Sequence, residues 1–377
     1  MKILFITHYS FLYGANKSLL QLLIDLRIYY NVKATVIIPE KGTFSDKLEE
    51  NNIDYYVFNY YNWLNVNTFI TAKIKIIINK FLFKRVLNSL KNYNYNFIHT
   101  NSSVTNLGGY LSNKMQIPHI WHIREYGQDD FNLKYGIGIK RAGNYFNSNA
   151  SVIITVSKDL KEYYSKYINP KKMKVIYNGI KVKKNFQKEY NYIAPLQICF
   201  LGSISENKNQ IEVIKALSYL KNQKKQSNFV LYIVGDGLET YVEVLKEYVK
   251  KEGLCKNVVF KGYIENVDAF LETIDLGVVS SKREAFGRVT VEYMMHKIPV
   301  IANKNGANKE IVNTVNLGYL YDFGDTEQLA EIIYNININR DDLKLIGERA
   351  FDYAIKNFSS KLNADNIYQV YKQMVVV

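Results

Sequence analysis

Glu284 and Glu292 stand eight positions apart and enclose the pair Phe286-Gly287, within the stretch S-S-K-R-E-A-F-G-R-V-T-V-E-Y-M-M-H-K-I-P-V-I-A-N-K-N-G-A-N-K-E-I-V of residues 280 to 312. The apolar run L-G-V-V at Leu276 to Val279 precedes it, and Pro299 with Val300-Ile301-Ala302 follows. This order predicts a strand, a glycine turn, a helix opening near Gly287, and a second strand. The first N–H groups of a helix have no intrahelical partner and the macrodipole makes that end positive, so such a turn receives phosphate. Carboxylates on either side accept hydrogen bonds from hydroxyls. The chemistry indicated is the holding of an anion that carries hydroxyls, and a sugar nucleotide is such a ligand. Two glutamates at this spacing are commonplace by themselves, so partners must come from elsewhere in the chain.

The elements that would position these groups form two series. In the first, strands are predicted at Lys2 to His8, Ala34 to Ile38, Tyr55 to Asn59, Phe97 to Thr100, His119 to His122 and Val152 to Val156, with helical segments between several of them. The loop Ser10 to Ser18, around Gly14, leads into a leucine-rich helix. Lys171 to Gly179 reads as a strand ending in Asn-Gly, and the poorly patterned Ile180 to Ala194 as a linker. The second series runs Leu196 to Leu201 (strand), Gly202 to Asn209 (loop), Gln210 to Lys221 (helix), Phe229 to Val234 (strand), Tyr241 to Lys251 (helix), Val258 to Lys261 (strand) and Asn266 to Glu272 (helix). At 377 residues the chain exceeds the size of one growing core. Alternation of this kind predicts parallel sheets covered by helices, with ligands at the carboxyl ends of the strands in a cleft between two domains.

Composition narrows the class. Cys199 and Cys255 occur in unlike contexts without metal-ligand spacing, which favours a reduced, cytoplasmic setting over a disulfide framework. The opening M-K-I-L-F-I-T-H-Y-S reads as a buried strand rather than a signal peptide, and no run of about 18 apolar residues spans a bilayer. Charge is unevenly divided: residues 1 to 188 hold 27 Lys and Arg against 11 Asp and Glu, a net of +16, and the remainder holds 22 against 24, a net of −2. No acidic residue occurs between Asp54 and Glu125. The segment Asn67 to Lys91 reads as a basic amphipathic helix, continuous or broken once, that serves as a covering helix, as a membrane-surface contact, or as both. The first half is thus directed toward something anionic: a membrane surface, a phosphorylated acceptor or a nucleic acid.

Gly235-Asp236-Gly237 after the strand V-L-Y-I-V half-matches a dinucleotide fingerprint, but the third glycine and the later acidic residue are missing, which argues against an NAD site. The 280 to 312 stretch is better supported. Together with the loop at Gly14, W-H-I-R-E at 121 to 125, T-V-S-K at 155 to 158, V-I-Y-N-G at 175 to 179, F-L-G-S-I-S-E-N-K-N-Q at 200 to 210 and I-V-G-D-G at 233 to 237, it resembles the signature of the large retaining glycosyltransferase family of GT-B fold often called family 4, in family order. The resemblance implies an α/β fold of two Rossmann-like domains facing each other across a cleft: residues 1–185 on the acceptor side, 186–358 for the nucleotide sugar, and a helix at 359–377 that packs on either domain. It implies that Glu292 binds the donor ribose, Glu284 lies beside the donor sugar, and Gly287 and the amides after it hold the diphosphate, flanked by Phe286. Lys208 would neutralise the leaving phosphate and His122 would stand near the transferred sugar. Gly14 and Gly202-Ser203 would let backbone approach the phosphates, Tyr263 and Ile264 would meet the base, and Asn16, Arg124 and Glu125 would lie on the acceptor side.

One departure is informative. Family members commonly carry arginine where this chain has Ser203, and leucine where it has Arg288. Arg288, with Arg283 in reserve, is therefore expected to supply the missing positive charge; the alternative is a solvated helix-end residue, which the dipole disfavours unless an anion is bound. The expected reaction is transfer of a hexose from a UDP-sugar or GDP-sugar to a saccharide or lipid-linked saccharide in capsule, exopolysaccharide or lipopolysaccharide synthesis, with retention of configuration. No D-x-D or ligand cluster appears, so neither metal nor other cofactor is expected. The expected location is cytoplasmic, or peripheral at the inner face of an anionic membrane. A GT-B sugar-nucleotide epimerase, a silent sugar-nucleotide binder and a nucleic-acid-binding protein are the competing readings; the last lacks a recognition helix or an RNA-binding aromatic signature.

Overall fold

The computed structural model describes residues 1–65, 69–90, 92–128, 133–182, 188–190, 194–312 and 316–375. The chain divides into unit 1, Met1–Lys181 with Phe358–Val377, and unit 2, Val182–Asn357. Parts of the expected linker, residues 183–187 and 191–193, lie outside the described residues, as do Asn67 and Lys91 at the ends of the expected basic helix.

Unit 1 runs β1 (Lys2–Ile6), α1 (Gly14–Tyr30), β2 (Lys33–Ile38), α2 (Thr43–Glu50), β3 (Asp54–Val57), β4 (Leu64–Asn65), α3 (Phe69–Leu90), β5 (Phe97–Thr100), α4 (Leu107–Met115), β6 (His119–Ile123), β7 (Lys134–Tyr135), α5 (Ile139–Asn149), β8 (Val152–Thr155), α6 (Lys158–Ser165) and β9 (Met173–Val175). Its main sheet has the order β3-β2-β1-β5-β6-β8-β9, parallel throughout, and β4 pairs antiparallel with β7. Ile3 to Ile6, Phe97-Ile98 and Ile153-Ile154 are buried, as strands covered on both faces require. α3 is one continuous helix, the unbroken of the two readings. The expected strand at Lys171 to Gly179 is shorter: Pro170 opens a 3-10 turn over Pro170–Lys172, which Asn169 caps through the Lys171 N–H, and extended pairing begins only at Met173.

Unit 2 runs β10 (Leu196–Leu201), α7 (Gln210–Asn222), β11 (Phe229–Val234), α8 (Glu239–Lys251), β12 (Val258–Gly262), α9 (Val267–Leu271), β13 (Leu276–Val279), α10 (Arg288–Met295), β14 (Val300–Asn303), α11 (Asn308–Ile311), β15 (Tyr319–Tyr321), α12 (Thr326–Ile338) and α13 (Asp342–Phe358). Its parallel sheet has the order β12-β11-β10-β13-β14-β15. The chain builds outward from β10 on one side, then returns to build on the other. The loops after β10 and β13 therefore diverge at a topological switch point, where ligands of such sheets bind. The unit 1 sheet has the corresponding reversal between β1 and β5.

The final helix, α14 (Ser360–Val375), belongs to unit 1. Ala364, Ile367, Val370 and Tyr371 join Leu19, Leu22, Leu23 and Leu26 of α1 over Ile3 and Phe5. Ile180 and the residues entering this helix exchange backbone bonds, Ile180 N to Phe358 O at 2.8 Å and Ser360 N to Ile180 O at 2.9 Å. Among the described residues no helix is long and apolar enough to cross a membrane.

Three histidines of unit 1, His99, His119 and His122, are fully buried. Burial lowers His119 to about 4 and pushes His99 and His122 well below their ordinary value. The unfolded chain therefore binds more protons than the folded one between about pH 6.5 and pH 4, and stability present above that window is lost as pH falls through it. Burial of Glu125 raises its carboxyl and works in the opposite sense. Both tryptophans, Trp63 and Trp121, lie in unit 1 and report its unfolding alone. Urea titrations followed by tryptophan fluorescence are expected to show unit 1 less stable at pH 5 than at pH 7, by about 2 kcal/mol for each such histidine. An unchanged or higher midpoint at pH 5 contradicts this.

Candidate active site

In unit 2 the loop after β10 is pinned on several sides. Gly202 N donates to Val234 O at 2.9 Å and Ile204 N to Asp236 O at 2.8 Å. Gln210 Nε2 holds Ser203 O at 2.9 Å, Lys282 N donates to Asn207 O at 2.8 Å, and the Ser280 hydroxyl lies 2.8 Å from Asn209 O and 3.1 Å from Lys208 O. A side chain at Gly202 would meet nothing within 4 Å, so the space above this glycine is open. The pinned loop delivers Lys208 to Glu284, Nζ to Oε1 at 2.6 Å. Glu284 is itself fixed by its backbone, which bridges to Gly306 and accepts from Ala307 N at 2.8 Å, and the Arg283 stem packs beside the same glycine.

α10 starts at Gly287, whose φ of +77° is the left-handed conformation that favours glycine. Gly287 supplies no side-chain cap and no acidic residue occupies the first turn, so the positive end of the helix faces this turn without a carboxylate of its own. Phe286 is buried beneath it. One turn inside, Glu292 accepts from Arg288, Nε to Oε1 at 2.8 Å. The side chain expected to reach for a diphosphate is thus paired with the carboxylate expected to hold the ribose. Two cations and two carboxylates surround the helix start, and their charges cancel.

Tyr293, the residue after Glu292, anchors this helix. Its hydroxyl donates to Cys199 O and accepts from Leu201 N, both at 2.8 Å, at the carboxyl end of β10. It reaches there because Gly277 of β13 has no side chain: a Cβ at that position would lie 2.4 Å from the tyrosine ring. Tyr263 and Ile264 follow β12 on the same edge of the sheet; the Tyr263 amide donates to Asp236 Oδ1 at 3.1 Å, and its ring is 64% exposed.

In unit 1, Gly14 opens α1 with free space where a side chain would stand. Asn16 does not face solvent. It accepts from Thr7 Oγ1 at 2.6 Å and donates to Tyr9 O at 3.0 Å and Phe11 O at 2.9 Å, shaping the loop that carries Gly14. Arg124 is buried, donating through Nε to Asn101 Oδ1 at 2.7 Å and through another nitrogen to Asn178 Oδ1. Glu125 is buried too; its Oε1 takes Ser102 Oγ at 2.8 Å, Ser103 N at 2.5 Å and Ser103 Oγ at 2.6 Å. The three residues expected on the acceptor side therefore hold loops by their own partners instead of presenting free groups. His122 is fully buried, with its Nδ1 beside Arg124 and His99.

Sequence reasoning missed Asn178, His99, Tyr371 and Tyr293. Asn178 stood in a quoted motif, V-I-Y-N-G, yet its role as the acceptor for Arg124 depends on two distant segments meeting. Among the described residues no three His, Cys, Asp or Glu side chains gather as a metal site would need.

Two parallel α/β units, each with its loops diverging at a switch point, match the GT-B fold. Within that fold, residues 181–352 match the family described as glycosyl transferases group 1, and residues 32–184 match glycosyltransferase family 4. The chain belongs to this family. It is similar to an uncharacterized glycosyltransferase of Methanocaldococcus jannaschii, 29% identical over 268 residues that cover 71% of this chain and 72% of that protein. It is also similar to the UDP-Gal:alpha-D-GlcNAc-diphosphoundecaprenol alpha-1,3-galactosyltransferase of Escherichia coli, 22% identical over 303 residues, 76% of this chain and 78% of that one. Among solved structures, Anabaena HepE in complex with UDP superposes with a TM-score of 0.83 at 24% identity, covering 99% of this chain and 100% of that one, which shows the shared fold.

Proposed function

We propose that the protein is a retaining hexosyltransferase that moves a sugar from a UDP-sugar to a saccharide carried on a lipid diphosphate, in the synthesis of a cell-surface polysaccharide. The observation that carries this reading is the double ion pair at the start of α10. A bound diphosphate brings negative charge to Gly287, draws Lys208 from Glu284 and Arg288 from Glu292, and meets the positive end of the helix. Glu292 is then released to accept from ribose hydroxyls and Glu284 from the sugar. Each cation exchanges a carboxylate for a phosphate, and the negative charge the diphosphate adds is met by Lys208, Arg288 and the positive end of the helix while the two carboxylates turn to hydroxyls.

In the reaction the C1–O bond to phosphate breaks, UDP leaves with the electron pair, and the acceptor oxygen bonds to C1 from the same face while its proton passes to the departing phosphate. Charge that develops on the leaving group meets cations already in place, which is where preorganised electrostatics contribute most. Lys208, Arg288 and the helix amides supply that compensation, so no divalent ion is required. UDP is favoured over GDP by the donor named for the E. coli relative and by the nucleotide held by HepE. The lipid-linked acceptor is supported by the name of the same relative and by the surface of α3.

Ile74, Ile77 and Phe81 form an outward stripe along α3, 52%, 56% and 74% exposed, beside Lys75, Lys80, Lys84 and Arg85. An apolar stripe flanked by cations, in a helix without acidic residues, is suited to lie in the headgroup region of an anionic bilayer. That contact would hold the enzyme where a lipid-linked acceptor resides.

UDP is expected to raise the melting temperature of the chain, with and without EDTA. Arg288→Ala is expected to raise the Kd for UDP about tenfold, the loss of one charge-assisted bond. Wild-type UDP affinity in Arg288→Ala, with Lys208→Ala weakened, would remove Arg288 from the donor site. The protein should float with liposomes containing anionic lipid at low salt, and Phe81→Asp should abolish flotation while leaving UDP affinity unchanged. Failure of the wild type to float removes the membrane contact.

A further inference from the structure

Glu212 is a buried carboxylate of unit 2 that the proposed reaction does not use. It stands in the first turn of α7, three positions after Asn209, and three neutral donors converge on it. Asn209 Nδ2 donates to its Oε2 at 2.5 Å, the Tyr321 hydroxyl to the same oxygen at 3.2 Å, and Gly324 N to its Oε1 at 2.7 Å. Burial raises its carboxyl, with the Gly324 N–H and the Tyr321 hydroxyl acting in the opposite sense. Burying a carboxylate is unfavourable unless its oxygens are satisfied, and here they are satisfied by segments far apart in the chain.

What these bonds hold is the root of Lys208. Asn209, its immediate neighbour, has a φ of +58°, the left-handed conformation that asparagine tolerates better than most residues. That one residue turns the loop after β10 into α7. A glutamate at the third helical position ordinarily reaches back to the backbone N–H of the cap residue. In this chain Ser205 O already takes the Asn209 N–H at 3.1 Å, so the Glu212 carboxylate takes the Asn209 side chain instead. The Ser280 hydroxyl holds the Asn209 and Lys208 carbonyls from the other side, at 2.8 and 3.1 Å. Through its second oxygen Glu212 fastens the same point to the turn after β15, where Tyr321 is fully buried and Asp325 N closes onto Asp322 O at 2.9 Å. β15 is the edge strand three places from β10, so one carboxylate ties together two ends of the sheet's carboxyl edge.

We infer that Glu212 is a positioning residue for the donor diphosphate: through Asn209 and the turn after β15 it fixes the backbone from which Lys208 reaches the leaving phosphate. This rests on the proposed glycosyl transfer, in which Lys208 meets that phosphate, and adds the anchor that aims it. The lysine side chain is flexible and swings between Glu284 and phosphate, so only its backbone root can be held. A root displaced by about 1 Å loses the contact with the anion. The direct electrostatic effect of Glu212 has the opposite sign. A carboxylate disfavours a nearby anion, so neutralising it without moving Lys208 would tighten the nucleotide. Anchor and bare charge are therefore told apart by the direction of the change.

Calorimetric titration of the full chain with UDP and with UMP, which lacks the leaving phosphate, tests this. Glu212→Gln keeps the size of the side chain but turns an amide toward donors, and Asn209→Gly keeps the left-handed turn while removing the other end of the bond. Each is expected to raise the Kd for UDP about tenfold and to leave the Kd for UMP within about twofold. In a Lys208→Ala background neither is expected to weaken UDP further by more than about twofold, because the effect passes through that lysine. Asn209→Gly decides the case if Glu212→Gln does not fold. Equal weakening of UMP and UDP, or a loss that persists without Lys208, marks a carboxylate that serves the fold alone and overturns the inference. Unchanged or tighter UDP binding in the folded variants overturns it too. A chain that binds neither nucleotide, or a Lys208→Ala variant with wild-type affinity for UDP, defeats the reading of the donor site itself and the inference with it.

Discussion

Two ion pairs crowd one helix start: Lys208 with Glu284 and Arg288 with Glu292, at 2.6 and 2.8 Å. Removing any one of the four charges leaves its partner unmatched in a half-buried position, which costs more than an exposed pair of the same geometry is worth. The surrounding architecture serves to hold these groups in register. Lys208 follows β10 and Glu284 follows β13, strands that are neighbours in the sheet although far apart in the chain, so only the reversal of strand order brings the two together. The Tyr293 hydroxyl then ties α10 to the end of β10, fixing Glu292 relative to the loop above Gly202.

Unit 1 solves a different problem. Its strand ends carry histidines, an arginine and a glutamate that are all buried, and burying such groups is tolerable only when their hydrogen bonds are made internally. Ser102 and Ser103 satisfy Glu125, Asn101 and Asn178 satisfy Arg124, and the carbonyls of Ser102 and Ser103 take the indole N–H groups of Trp121 and Trp63. The consequence is a rigid floor beneath the Gly14 loop, with the C-terminal helix as part of its wall. Because that helix supplies Tyr371, the end of the chain contributes to the same polar network as its first half.

Much of this was legible in the sequence. Continuous apolar runs marked the parallel strands, and the coincidence of a glycine, a preceding apolar run and a following proline located the start of α10 to within a residue. The charged motifs identified the family because several matched in order. Direction of pairing was less visible. Arg288 and Glu292 stand at the i,i+4 spacing that favours an intrahelical pair, yet their ligand-binding roles are the more natural reading until the side chains are seen together. Asn16, Arg124 and Glu125 read as polar residues near a ligand, whereas their partners come from segments that only the fold brings close. With 32 tyrosines in the chain, nothing in the pattern distinguishes Tyr371 or Tyr293 from the rest.

The central claim is that donor diphosphate replaces both carboxylates as the partner of the site's cations. A crystal structure of the protein with UDP tests it most directly. The account predicts Lys208 Nζ and the Arg288 guanidinium within hydrogen-bond distance of phosphate oxygens, the α10 amides on the same group, and Glu292 on the ribose hydroxyls. UDP bound with both ion pairs intact, or bound away from Gly287, would contradict it.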